Sequence, residues 1–199
     1  MVIVYGFTGS TSLEVLADRL GSLDLSEGTA FGGHALLLGV VLIIAGFGFK
    51  IACVPFQMWV PDVYEGSPTP VTAFLSVASK AAGFAIILRV FYIAFPLEEL
   101  SLDWSAIFAV LSVLSMTLGN LVAMHQSNIK RLLAYSTVAH AGYLMVGVAA
   151  IAIRTPEAQA STGPSAVLFY LAGYAATNLA AFAAVIAISN RIESDNIAD

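Results

Sequence analysis

Five stretches of this chain are apolar all the way round: residues 35–60, 70–95, 104–124, 131–153 and 165–189. Each is long enough to cross a bilayer as a helix, which takes about 20 apolar residues. None alternates with the period of two that a membrane barrel strand requires. The joining segments are short and gather turn formers and charges, as in residues 61–68 and 156–164. The pattern predicts an all-α polytopic membrane protein of about five transmembrane helices. Residues 1–33 differ. Their first seven are apolar but too short to span. Thr11 and Glu14 have the spacing of a capping box, Leu13, Leu16 and Leu20 share one face, and Gly21 can close the helix. This region reads as the end of a preceding helix plus an amphipathic loop helix. An apolar stub at the start suggests a piece of a longer protein. Residues 34–189 then form a partial transmembrane domain, and 190–199 a loop after the last span.

Composition sharpens this picture. Hydrophobic residues make up 59% of the 199 and charged residues 11%, against roughly 25% charged in an ordinary soluble domain. A net charge of −5 without a basic patch excludes nucleic acid as a partner. The lone Cys53 cannot form an internal disulfide. Basic residues orient the spans: Lys130, Arg131 and Arg191 fall on one side, Arg19 and Arg154 on the other, with Arg89 able to snorkel there. The Lys130 side is assigned to the cytoplasm, and Trp59 and Tyr64 are expected at that interface.

Three titratable residues interrupt the apolar runs. Lys50 lies ten residues before Val60, and Lys80 ten residues after Pro70. At about 1.5 Å per residue, both sit on the order of 15 Å below the cytoplasmic surface. His140, nine residues into the fourth span, reaches nearly the same depth. A charge at the bilayer centre costs about 2.5–3.5 kcal/mol on insertion scales, so such residues mark pathways by default. Burial and a neighbouring cation both ease proton release from a lysine, so Lys50 and Lys80 could exchange a proton through ordered water. None of the 13 carboxylates lies in the middle of a span, and the counter-charge must come from outside this chain. The bland alternatives are a snorkelling lysine and a hydrogen-bonded core histidine.

Pro55 follows Lys50 by five residues, with Gly46 and Gly48 before it. The first helix is expected to break near Lys50 and Pro55, freeing the carbonyl of Ile51. Broken helices at membrane depth line wet cavities or are buried in protein, and transporters place ion sites there; a plain proline kink is the alternative. Ser136, His140 and Tyr143 share one face of the fourth span, and Tyr170, Tyr174, Thr177 and Asn178 form a similar stripe in the fifth. Such stripes serve helix packing more often than conduction. No phosphate loop, dinucleotide fingerprint, haem-ligand pair or cysteine cluster is present.

The run Gly46-Phe47-Gly48-Phe49-Lys50 is followed by Val54-Pro55-Phe56-Gln57-Met58-Trp59 and Pro61-Asp62-Val63-Tyr64-Glu65-Gly66. With Ala78-Ser79-Lys80-Ala81-Ala82-Gly83, Asn128-Ile129-Lys130-Arg131-Leu132-Leu133-Ala134-Tyr135-Ser136 and His140-Ala141-Gly142-Tyr143, it resembles subunit N of proton-pumping NADH:quinone oxidoreductase (respiratory complex I, NDH-1) and its counterpart, mitochondrial subunit 2. The resemblance implies a larger antiporter-like bundle, of which this chain would hold helices seven to eleven. It assigns Lys50 to the broken seventh helix and Lys80 to the eighth as the central proton relay, with His140 as a further relay candidate. The family's fifth-helix glutamate and twelfth-helix lysine have no counterpart here, so this stretch should not pump alone. Gln57 stands where many relatives have histidine. The resemblance further implies that NADH, FMN, iron–sulfur clusters and quinone act in other subunits. This chain itself would hold no cofactor or metal. Its partners would be antiporter-like and other membrane subunits and the lipid bilayer. Its place would be the bacterial inner membrane or an equivalent energy-transducing membrane. The alternative is a subunit of a cation/proton antiporter without redox partners, which shares the fold and both lysines. A purely structural membrane scaffold is a further rival.

Overall fold

A computed structural model describes residues 2–22, 30–95, 98–152 and 162–198. Among them the secondary structure is helical: α1 (Val2–Thr8), α2 (Leu13–Ser22), α3 (Ala30–Ile51), α4 (Trp59–Gly66), α5 (Thr69–Ala94), α6 (Glu98–Ala123), α7 (Ile129–Ala149) and α8 (Thr162–Ile192). Five segments are long and apolar enough to cross a membrane: His34–Ile51, Thr69–Ala94, Ser101–Ala123, Ile129–Ala149 and Gly163–Ile192. They coincide with the five apolar windows, except that the first ends nine residues before Val60.

The reason is a complete interruption. Ala52 takes a left-handed conformation with φ of 61°, a backbone state that costs an L-residue about 1–2 kcal/mol. Cys53 N–H turns back to the Gly48 carbonyl at 3.0 Å, and Phe56 N–H bonds Cys53 at 2.7 Å. The Val54–Pro55 bond is cis, and the helix resumes only at Trp59. Pro55 therefore lies four residues beyond the end of α3 and does not free the Ile51 carbonyl from within a continuous helix. The carbonyl that is used belongs to Phe49, which accepts from Ala52 N–H at 3.2 Å and from the Trp59 indole at 3.1 Å. A third fastening holds the break to a different helix: Val54 N–H donates to Ser115 Oγ on α6 at 3.0 Å.

α5 is continuous but uneven. Residues Leu75–Ser79 and Val90–Ala94 are wide π-helical turns on either side of the α-helical Lys80–Arg89. Such turns occur mostly as single bulges, frequently at functional sites. α6 and α7 pack closely because small residues let their backbones approach: a Cβ on Gly119 would stand 2.7 Å from the Ala139 amide nitrogen, and one on Gly142 would stand 2.9 Å from the Ser112 carbonyl. Ser112 and Ser105 of α6 donate to the Gly142 and Ala149 carbonyls at 2.7 and 2.8 Å. This is the packing by small residues and hydrogen bonds expected where lipid removes most of the hydrophobic drive. At the opposite end, Phe91, Phe95, Trp104 and Phe108 form an aromatic cluster between α5 and α6, with ring centroids 5.0–6.2 Å apart.

Two sequence expectations change in detail. α2 starts at Leu13, after Ser12 rather than Thr11, and its first bond runs from Leu16 N–H to the Ser12 carbonyl at 2.9 Å; no Thr11–Glu14 capping box forms. Tyr64 faces inward rather than outward from the bundle. It is buried, edge-on to Phe182 of α8 at 6.3 Å, because α4 docks inward against α7.

Candidate functional site

Lys80 follows directly on the first wide turn of α5 and is 4% exposed. Eleven residues beyond Thr69, it lies about 16 Å along the helix. Its ammonium donates to the Thr137 carbonyl of α7 and stands 5.7 Å from the centre of the Tyr174 ring of α8. Three helices thus wrap one charge. The wide turn contributes as well: the Ser76 carbonyl accepts from the Tyr174 hydroxyl at 3.2 Å, while Asn178 donates to Ser76 Oγ and to Tyr174 Oη, both at 2.9 Å. Each of these buried polar groups has a partner, as burial in a low dielectric demands.

His140 faces the same tyrosine, ring centroids 5.0 Å apart. Its Nδ1 shares a 2.7 Å hydrogen bond with the Tyr170 hydroxyl. Tyr143 stands edge-on to His140 at 5.7 Å and accepts from Asn120 Nδ2 at 3.2 Å. The polar stripes of the fourth and fifth spans therefore meet. They form a run of touching polar side chains from buried Lys80 to exposed Tyr143, Tyr170 and Asn120: ring contacts join Lys80 to Tyr174, Tyr174 to His140 and His140 to Tyr143, and hydrogen bonds join His140 to Tyr170 and Asn120 to Tyr143. The expectation that such stripes serve packing is half right, because the same residues pack and hydrogen-bond each other.

Lys50 sits differently. Its stem lies on α5 one turn past Lys80, where a Cβ on Gly83 would be 3.7 Å from Lys50 Cγ. The two lysines share a level, but the Lys50 side chain is exposed. Among the described residues the salt bridges are those of Lys130 with Asp195 and of Arg131 with Asp62 and Glu65; Lys50 and Lys80 belong to none of them. The structure brings Lys80 and His140 to one tyrosine and leaves Lys50 on the outer face of α3. Gln57, in the interrupted segment, has its side-chain oxygen buried and unpartnered. No group of three or more His, Cys, Asp or Glu side chains among the described residues could hold a metal ion.

The Thr137 carbonyl and Ser76 escaped the sequence reading. A main-chain acceptor carries no side-chain signal, and small hydroxyls are common in membrane helices. The Tyr174–Asn178 pair, four residues apart, was the available hint.

An all-α bundle of five apolar spans, with an interrupted helix and a buried lysine at mid-span, defines a multi-pass integral membrane protein. The chain belongs to the NADH:quinone oxidoreductase/Mrp antiporter transmembrane family, whose model matches residues 1–199. It is 49% identical over 203 residues to NADH-quinone oxidoreductase subunit N of Dehalococcoides mccartyi, covering 99% of this chain and 40% of that protein. It is 47% identical to subunit N 2 of Chloroherpeton thalassium, covering 99% of this chain and 37% of that protein. The chain thus spans about two fifths of the length of these curated relatives. A chain of respiratory complex I from Thermus thermophilus, solved with bound aureothin, superposes with a TM-score of 0.66 at 38% identity, over 93% of this chain and 35% of that one. A chain of an archaeal membrane-bound sulfane sulfur reductase shares the fold, with a TM-score of 0.80 at 24% identity over 98% of this chain and 37% of its own length.

Proposed function

We propose that this chain forms part of the proton path of the antiporter-like subunit N of a proton-pumping NADH:quinone oxidoreductase. Electron transfer from NADH to quinone, with its FMN and iron–sulfur clusters, takes place in other subunits. The observation that carries the reading is the setting of Lys80: one buried ammonium at mid-span, held by the Thr137 carbonyl and facing the Tyr174 ring, which in turn packs against His140. Lys50, one turn away on the interrupted helix, supplies a second exchangeable ammonium, and water between them would complete the relay. His140 continues it towards Tyr170 and Tyr143. Partnership with other membrane subunits follows from the relatives' names and from the acid that the two lysines lack among the described residues.

The test uses the full subunit in its parent complex, reconstituted in vesicles. Lys80→Met and Lys50→Met each lower protons moved per NADH oxidised, by tenfold or more for Lys80. Normal pumping together with normal NADH oxidation in both variants refutes the relay. Cation-dependent proton exchange by a complex that oxidises no NADH would instead favour the antiporter alternative.

A further inference from the structure

The segment 61–66 holds two acids that the relay does not use. Asp62 and Glu65 are three residues apart on α4, which places both carboxylates on one face. Arg131 answers both: its Nη1 donates to Asp62 Oδ1 at 2.8 Å and to Glu65 Oε2 at 2.6 Å. Its Nε is turned towards Gln126 Oε1 at 3.4 Å. Arg131 stands in the first turn of α7, which Asn128 caps by accepting from the Lys130 and Arg131 amides at 2.9 and 3.2 Å. The adjacent Lys130 reaches the other way, to Asp195 beyond α8 at 2.9 Å. The Asp195 carbonyl accepts from Ile129 N–H, and Ile197 N–H donates to Ser127, both at 2.9 Å. The first turn of α7 is therefore fixed on one side and grips α4 on the other.

α4 in turn touches both lysine neighbourhoods. At its start, Trp59 donates to the carbonyl of Phe49, the residue before Lys50, and its ring lies 5.7 Å from that of Phe49. Towards its end, the Tyr64 carbonyl accepts at 3.3 Å from Thr72, near the start of the span that carries Lys80. The helix that carries Arg131 also carries Thr137, whose carbonyl accepts from the Lys80 ammonium.

We infer that Arg131 is a positioning residue of the relay: by bridging Asp62 and Glu65 through its Nη1 it holds α4 as a bracket that sets the spacing of Lys50 and Lys80. The inference rests on the relay proposed above. α4 has eight residues and lies between an interrupted segment and a short turn, so neither end is braced by a continuing helix. The grip of Arg131 adds to the Trp59 and Tyr64 contacts on the opposite face of α4. Each exposed pair of this kind is modest, so two together steady the bracket without freezing it.

The test uses the complete complex in vesicles with two readouts. Amide hydrogen exchange at residues 59–66 reports whether α4 is docked, and protons moved per NADH oxidised reports the relay. Arg131→Gln is expected to speed that exchange roughly tenfold and to lower the proton ratio at least twofold. Arg131→Lys, which keeps one charged nitrogen able to bridge the same two carboxylates, restores more than half of both. Should Arg131→Gln fail to assemble, the double variant Asp62→Asn with Glu65→Gln removes the same grip from the α4 side and is judged by the same criteria. Unchanged exchange overturns the inference, and so does faster exchange with a wild-type proton ratio. Lys80→Met in the same preparation separates the two claims. If it pumps normally, the relay has failed and with it the positioning role; if it does not, the Arg131 result judges the bracket alone.

Discussion

The two lysines occupy one level of the bundle in opposite circumstances. Around Lys50 the backbone is broken, the helix end is fastened by an indole and the charge is exposed. Around Lys80 the backbone is unbroken but widened, three helices close in and the charge is buried. The first site is incomplete within the described residues, and the second is complete. The difference teaches that two lysines of one level can be finished differently: one is enclosed by its own helices, and the other is left open among the described residues.

The sharpest way to break this comparison is to separate the two sites. Gly83 lies between them, and a Cβ there would stand 2.9 Å from Ile51 Cγ2. Gly83→Val is expected to destabilise the subunit by about 2 kcal/mol through overpacking, seen as a lower melting temperature of the purified complex. Next in size is the charge itself. Replacing a buried ammonium that has a carbonyl but no carboxylate partner among the described residues with an apolar chain of similar volume removes its desolvation penalty. Lys80→Met should therefore raise stability by about 1–2 kcal/mol, even as the proposed relay loses its centre. Lys50→Met should change stability by less than about 0.5 kcal/mol; thermal melts of the two variants that fail to differ would erase the contrast. Tyr174→Phe removes a hydroxyl bonded to Ser76 and Asn178 and should cost about 1 kcal/mol by the same measurement. The smallest effect lies outside the membrane. Lys130 and Ser189 hold the Asp195 carboxyl below its usual range. A carboxylate with a lowered native value contributes stability above the unfolded value of 3.8 and loses it as pH falls through the native one. Melts of the wild type should show a small extra loss in that window, and melts of Asp195→Asn should not.

Much of this arrangement could be read from residue order, for identifiable reasons. The five spans follow from continuous apolar runs, and the interruption from proline and glycines placed beside a lysine. The shared neighbourhood of Lys80 and His140 followed from their positions along two spans, whereas the helical rise from Val60 to Lys50 does not apply, because the helix stops at Ile51 and resumes at Trp59. What could not be read depends on main-chain geometry or on facing surfaces. The left-handed turn occurs at Ala52, a residue with no preference for it. The wide turns in α5 carry no composition signal, and the Thr137 carbonyl no side-chain one. The inward docking of Tyr64 reverses the usual rule for amphipathic rings, because Phe182 and α7 offer it a pocket. Residues 23–29 and 153–161 lie outside the described residues, so the expected position of Arg154 is not among these findings.

The wide turn at Leu75–Ser79 has a consequence for how the chain tolerates changes of length. A π-helical turn accommodates one more residue than an α-helical one, so α5 carries a spare residue just ahead of Lys80. Removing one position there would tighten the turn and leave the ammonium aimed at α7. Removing one between Thr69 and Phe74 would swing everything downstream by about 100° and point the same ammonium at lipid. The slack is stored next to the residue that can least bear misalignment.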